Sequence, residues 1–175
     1  IQPWGEGPTQ SLSWFALTDG VFRVNVGNES LFRYSNEILE HWDSTVKDTN
    51  YQIAAFARSI FEILPATMSP IPGFLQSSAW DWKLLRKLYI ESEHDASFYE
   101  AFRWLGERSL GTEYLVESPQ VSFIRKEDNI IIGWDNRERK IDGLQVWESD
   151  YGTYTLSAEK FFSECYSFSE RLLNQ

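Results

Sequence analysis

Hydrophobic residues recur at every second position near both ends of the chain and at helical spacing through its middle. Residues 1–10, with Pro3, Gly5, Gly7 and Pro8, read as extended. Leu12, Trp14, Phe15 and Leu17 mark Ser11–Thr18 as a strand, and Asp19-Gly20, the strongest short-range hairpin signal, follows it. Along Val21–Val26, Val21, Arg23 and Asn25 alternate with Phe22, Val24 and Val26. Gly27-Asn28 supplies a second turn, and Leu31, Phe32 and Tyr34 predict a third strand. The opening therefore reads as a three-stranded meander.

The period then lengthens. Asn36–Trp42 predicts a short helix. Thr49-x-x-Gln52 has the form of a capping box. Behind it, Ile53, Phe56, Ala57, Ile60 and Leu64 make a helical stripe that Pro65 is expected to stop. Pro65, Pro70, Pro72 and Gly73 predict a loop. Ser78 can cap a helix running to Tyr89, with Trp82, Leu85 and Tyr89 on one side. Asp95 can cap another that carries Phe98, Phe102 and Leu105 and ends before Gly111.

Strand patterns return at Val121–Arg125 and Ile130–Trp134 around Asp128-Asn129, and at Leu144–Trp147 and Tyr151–Thr155 around an acidic turn. Ser157 can cap a last helix with Phe161, Phe162, Cys165, Phe168 and Leu172 at helical spacing. The order implies an α+β fold and one domain over 1–175. Its largely antiparallel sheet is built from two strand-rich segments, about 11–35 and 121–156, with a central group of helices and the C-terminal helix packed on it.

The 175 residues can bury roughly 70% of the surface of the unfolded chain, enough to fold without disulfide or metal. Asp and Glu number 26 against 16 Lys and Arg, a net charge of −10. Such a field disfavours nucleic acid and anionic membranes as partners and favours a basic protein. The single cysteine, Cys165, rules out an intrachain disulfide and matches a reducing, cytoplasmic location. No run reaches the ~18–20 apolar residues of a membrane span, and Ile1–Gln10 does not read as a signal peptide.

Motifs for catalysis and cofactors are missing from the sequence. Two histidines, His41 and His94, and one cysteine give no metal-ligand spacing. The knot Glu91-Ser92-Glu93-His94-Asp95 reads as a solvated loop whose Asp95 caps the next helix. No nucleophile elbow and no phosphate-binding glycine loop occurs. Carboxylate chemistry would fall to Asp19, Glu148 or Asp150, all placed at expected turns, where such residues are common for structural reasons. Cys165 sits on the apolar stripe of the last helix and reads as a small core hydrophobe. The sequence thus calls for no metal, no cofactor and no catalytic residue.

Two features remain. Aromatic residues make up 16% of the chain, with eight tryptophans, of which Trp4, Trp42 and Trp80 lie at element ends and are expected to be exposed. Half of the net charge falls in residues 91–117: Glu91, Glu93, Asp95, Glu100, Glu107, Glu113 and Glu117 stand against only Arg103 and Arg108. Glu100 and Glu107 are two helical turns apart and should share a face.

Trp14-Phe15-Ala16-Leu17-Thr18-Asp19-Gly20, Leu31-Phe32-Arg33-Tyr34-Ser35 and the terminal stretch Phe161–Leu173 together resemble a bacterial family of unknown function. Members of that family carry a W-F-x-L-T-D-G signature near the start, and the resemblance implies no catalytic residue. By type, the size and acidity are also similar to the immunity proteins of bacterial toxin systems such as contact-dependent growth inhibition. That similarity implies a cytoplasmic protein that neutralises a cognate, basic toxin, such as a nuclease, by stoichiometric binding. The seven acidic residues of 91–117 would then supply the docking surface. The alternatives are a small-ligand module with an aromatic pocket and a carboxylate-dependent enzyme.

Overall fold

The computed structural model describes residues 19–72 and 96–174. The expected strand at Ser11–Thr18, the helix from Ser78 to Tyr89, and Trp4, Trp80, Glu91, Glu93 and Asp95 lie outside them. The described chain is α+β, with four helices and four small sheets among these residues. It forms two compact units. One contains 19–59, 111–119 and 136–151; the other contains 60–72, 96–110, 120–135 and 152–174.

The first unit is built around stacked aromatics. Strand β1 (Asp19–Phe22) pairs antiparallel with β4 (Thr49–Gln52), from Asp19↔Gln52 to Phe22↔Thr49. Asp19-Gly20 therefore lies inside a strand and does not close a hairpin, correcting the sequence reading. A tight two-residue hairpin turn of the favoured type needs positive φ at both central residues. Among the described glycines only Gly27 and Gly143 have positive φ. The aspartate-glycine pair that does turn the chain is Asp142-Gly143, with φ of 51° and 84°, between β7 (Lys140–Ile141) and β8 (Leu144–Gln145). Gly27-Asn28 turns as expected, at a φ of 63° for Gly27, between β2 (Asn25–Val26) and β3 (Glu29–Ser30).

Leu31 and Phe32 are both fully buried, so they do not alternate as the expected third strand requires. Instead Arg33 and Tyr34 form single bridges to Asp48 and Trp147. Helix α1 (Asn36–His41) begins at Ser35, whose hydroxyl accepts the Ile38 amide at 3.2 Å and donates to the Gln145 carbonyl. The expected capping box is strand β4: the Thr49 hydroxyl donates to the Phe32 carbonyl at 2.9 Å and caps nothing. Phe56, from the first turn of helix α2 (Ile53–Met68), stacks on Phe22 at 4.4 Å and meets Phe32 edge-on at 5.7 Å. Phe32 in turn meets Trp147 at 6.3 Å. Pro65 lies inside α2, which runs on to Met68, so proline is not its stop. The carbonyl left without its donor is that of Phe61, on a solvent-facing stretch where water can replace the bond.

The second unit has three layers. Strands β5 (Val121–Lys126) and β6 (Asn129–Asp135) form an antiparallel hairpin turning at Glu127-Asp128, one residue before the expected position, with Glu127 at φ 56°. Strand β9 (Tyr151–Ser157) lies along β6, giving the order β5-β6-β9. The expected hairpin between Leu144–Trp147 and Tyr151–Thr155 does not form, because β8 pairs with β7 and β9 with β6. Adjacent residues of β5 point to opposite faces. On one face Phe123 meets Phe161 of helix α4 (Ala158–Leu173) at 5.4 Å, so the C-terminal helix packs on the sheet. On the other, Ile124 packs with Ala101 and Leu105 of helix α3 (Ala96–Gly106), flanked by Ile71 and Trp104. Phe161 is buried, whereas Cys165, Phe168 and Leu172 on the same helix are half-buried.

Candidate partner-binding surface

Helix α3 turns Ala101 and Leu105 inward, which forces Glu100, Arg103 and Glu107 outward. Glu100 lies on α3 and Glu107 one residue past its last, with the Glu107 amide donating to the Arg103 carbonyl at 3.0 Å; both are exposed. They are not equivalent. Glu107 lies 3.7 Å from the Arg103 guanidinium and 4.0 Å from that of Arg108, whereas Glu100 has no ion pair among the described residues. Arg108 is buried. Its guanidinium lies 3.8 Å over the Trp104 ring and donates to the Trp104 carbonyl at 2.7 Å. Burial lowers its pKa, with Glu107 opposing.

Glu113 and Glu117 belong to the other unit, on the 111–119 segment. Glu113 is exposed. Glu117 is half-buried, with φ at 47°; its carbonyl accepts the Trp147 indole at 2.6 Å and its carboxylate lies 4.0 Å from Arg139. Its backbone holds the core tryptophan, and its side chain is already partly neutralised. Of the seven acidic candidates, then, Glu100 lies on α3 and Glu107 just past its end, and Glu113 and Glu117 lie on a loop of the other unit.

The turn carboxylates have structural partners. Glu148 lies 3.3 Å from Arg33, and Asp150 accepts the Tyr151 amide at 2.7 Å. Asp48, which sequence reasoning missed, is gripped by Arg23 through both carboxylate oxygens and lies 3.4 Å from Arg33. Arg23 and then Arg33 hold its carboxyl below the usual range against the opposing effect of burial. This chain of alternating charges depends on the Arg33–Asp48 bridge, which no local pattern announces.

Trp42 is 37% exposed, as its position at a helix end implied; it meets Tyr34 edge-on at 5.2 Å, and Tyr34 stacks on Trp147 at 4.9 Å. Tyr51 stacks on Tyr114 at 4.5 Å, and burial pushes the Tyr114 hydroxyl up to about 12. The Cys165 thiol is raised to about 11, chiefly by burial and then by Glu164. Among the described residues no group of three or more His, Cys, Asp or Glu could hold a metal ion, and no helix is long and apolar enough to cross a membrane.

A third exposed feature is β9 itself. Tyr151 and Tyr154 are exposed, as are Thr153, Thr155 and Ser157. Gly152 is required by its neighbour strand: a Cβ there would lie 2.8 Å from Cε2 of the Trp134 indole, which crosses β9 at this point. No curated protein and no solved structure matches the chain. Over residues 1–175 it matches, and belongs to, the family described as Family of unknown function (DUF5984).

Proposed function

We propose that this chain is an interaction protein that binds a basic protein, and more specifically a cytoplasmic immunity protein that neutralises a cognate toxin by stoichiometric binding. The observation that carries the reading is the exposed pair Glu100, on α3, and Glu107, just past its end, in a chain of net charge −10. Such a field raises the encounter rate with a basic surface and rejects acidic partners. A toxin groove built to hold phosphates would be filled by the same carboxylates. The test is co-expression with the protein encoded beside this chain, followed by size-exclusion chromatography of the purified pair. The expected outcome is growth rescue together with a one-to-one complex. Rescue without a complex, or a complex without rescue, would remove the immunity reading.

A further inference from the structure

We propose that the edge of β9 away from β6, beyond which no described strand lies, is the docking point for an extended strand of that basic partner, which would join the β5-β6-β9 sheet as a fourth strand. The inference rests on the basic-partner reading and adds the place and mode of binding.

The sheet has two edges, and the protein treats them differently. Along β5, the outer edge is occupied: Ser109 bridges Ser122, the Leu110 amide donates to the Val121 carbonyl at 2.9 Å, and the Phe123 amide donates to the Arg108 carbonyl at 2.9 Å. Along β9, no strand lies beyond the edge among the described residues. An exposed edge presents unpaired amides and carbonyls and is normally blunted by lysine, proline or a bulge. Tyr151–Ser157 contains no charged residue and no proline, and five of its seven residues are exposed. Its two half-buried positions, Gly152 and Leu156, leave the strand anchored while its surface stays open. Strand addition to such an edge takes affinity from main-chain hydrogen bonds, which any extended segment can make. Charge decides which segment. Between Lys140 and Lys160 the chain carries Asp142, Glu148, Asp150 and Glu159 and no basic residue. Glu159 and Asp128 are exposed at the C-terminal end of β9, where the Ala158 amide donates to the Asp128 carbonyl at 2.8 Å. The Arg137 guanidinium lies 4.3 Å over the Tyr151 ring at the other end, so the flanks Asp128, Asp150 and Glu159 leave the strand net acidic against one basic group. An uncharged strand with net acidic flanks fits an uncharged strand with basic ends, and it disfavours a second copy of itself.

The probe is a synthetic peptide of alternating Thr and Val flanked by lysines, compared with a glutamate-flanked version and with one N-methylated at alternate residues along a single edge. Binding is read by fluorescence anisotropy and by hydrogen exchange of the full chain. The lysine-flanked peptide should bind and slow exchange in 152–157. N-methylation and the glutamate flanks should each weaken it by at least about tenfold. Successive amides of a strand point to opposite sides, so of Thr153→Pro and Tyr154→Pro one removes an outward donor and the other a donor to β6. The outward variant should fold and lose the peptide. Lysine-dependent binding that ignores N-methylation would overturn the edge and leave the basic-partner reading standing. N-methyl-sensitive binding that ignores the flanking charge would overturn the basic occupant instead. A β9-dependent dimer in sedimentation would assign the edge to a second copy, and absence of peptide binding would remove the proposal.

Discussion

The Trp134 indole lies across the strand at Gly152, where even a methyl group would intrude. Gly152→Ala should therefore destabilise the protein by ~1–3 kcal/mol, because the displaced indole is buried and has little room to move. Gly106, at the end of α3, has nothing within 4 Å of its added Cβ; Gly106→Ala should be neutral or stabilise by up to ~1 kcal/mol. Urea denaturation of the two variants checks both signs. Cys165 gives a test with pH. Its pKa rises from an ordinary 9.0 to about 11, so near pH 8 the folded thiolate is about a hundredfold scarcer than in an unfolded chain, and labelling by a thiol reagent should be slowed accordingly. The raised value also fixes the direction of linkage. The neutral thiol is favoured in the folded state, so its contribution is complete below pH 9 and is lost as pH rises through about 11; Tyr114 behaves alike between 10.0 and about 12. The urea midpoint should fall over that range, and less steeply in Cys165→Ala. A midpoint flat from pH 8 to 11 would contradict the burial of both groups. The stripe of the last helix marked Cys165 as a core residue, and the structure leaves it half-buried instead. The need for glycine at 152 was not, since it arises from a side chain eighteen residues earlier in the sequence.

At the scale of elements, periodicity located helices well and strand partners badly. The short helix at α1, the stripe of α4 and the hairpin β5-β6 stand where the pattern places them, within a residue or two. These elements are fixed by local burial and local turns. The failures share one cause: the same dipeptide or cap pattern serves several conformations until a distant partner selects one. Asp19-Gly20 is drawn into a ladder by β4, about thirty residues away, and Thr49-x-x-Gln52 is drawn into the same ladder from the other side. Asp142-Gly143 has no such competitor and turns. Pro65 is the most testable case. Its exposed ring sits one turn from the end of α2 and costs the helix one hydrogen bond. Pro65→Ala should restore the bond to the Phe61 carbonyl and stabilise the fold by ~1–3 kcal/mol, below the full penalty of a mid-helix proline because the site is near the terminus. Thermal unfolding reads the change. A loss of stability would mean that the proline ring is itself needed for packing.

At the scale of the whole chain, charge was legible from the start and chain routing was not. The acidic excess of 91–117 can be counted residue by residue. Which unit each of those carboxylates belongs to depends on where the chain passes from one to the other, after Leu110 in this stretch, and no local pattern marks that crossing. Glu100 and Glu107 belong to one unit and Glu113 and Glu117 to the other, so the electrostatic test is made within one unit, on Glu100 and Glu107. Glu100→Lys with Glu107→Lys moves the net charge from −10 to −6, since each reversal adds two positive charges. Glu100→Lys should leave stability nearly untouched and act on association, whereas Glu107→Lys also removes the carboxylate beside Arg103 and buried Arg108 and should cost some stability, which urea denaturation of each variant reads. For rim charges the effect falls mainly on the association rate, and the dissociation rate should change little. The single reversals should differ. Glu107 is already shared with Arg103 and Arg108, so Glu100→Lys should slow association more than Glu107→Lys does. Screening supplies the second axis, because the Debye length shrinks from about 10 Å at 0.1 M salt to about 3 Å at 1 M. Wild-type affinity for a basic partner should weaken as salt rises, and the double variant should show a shallower slope. Stopped-flow association and equilibrium titration across a salt series measure both. A wild-type affinity indifferent to salt, together with an unchanged association rate in the double variant, would take the docking surface off α3 and overturn a basic partner altogether.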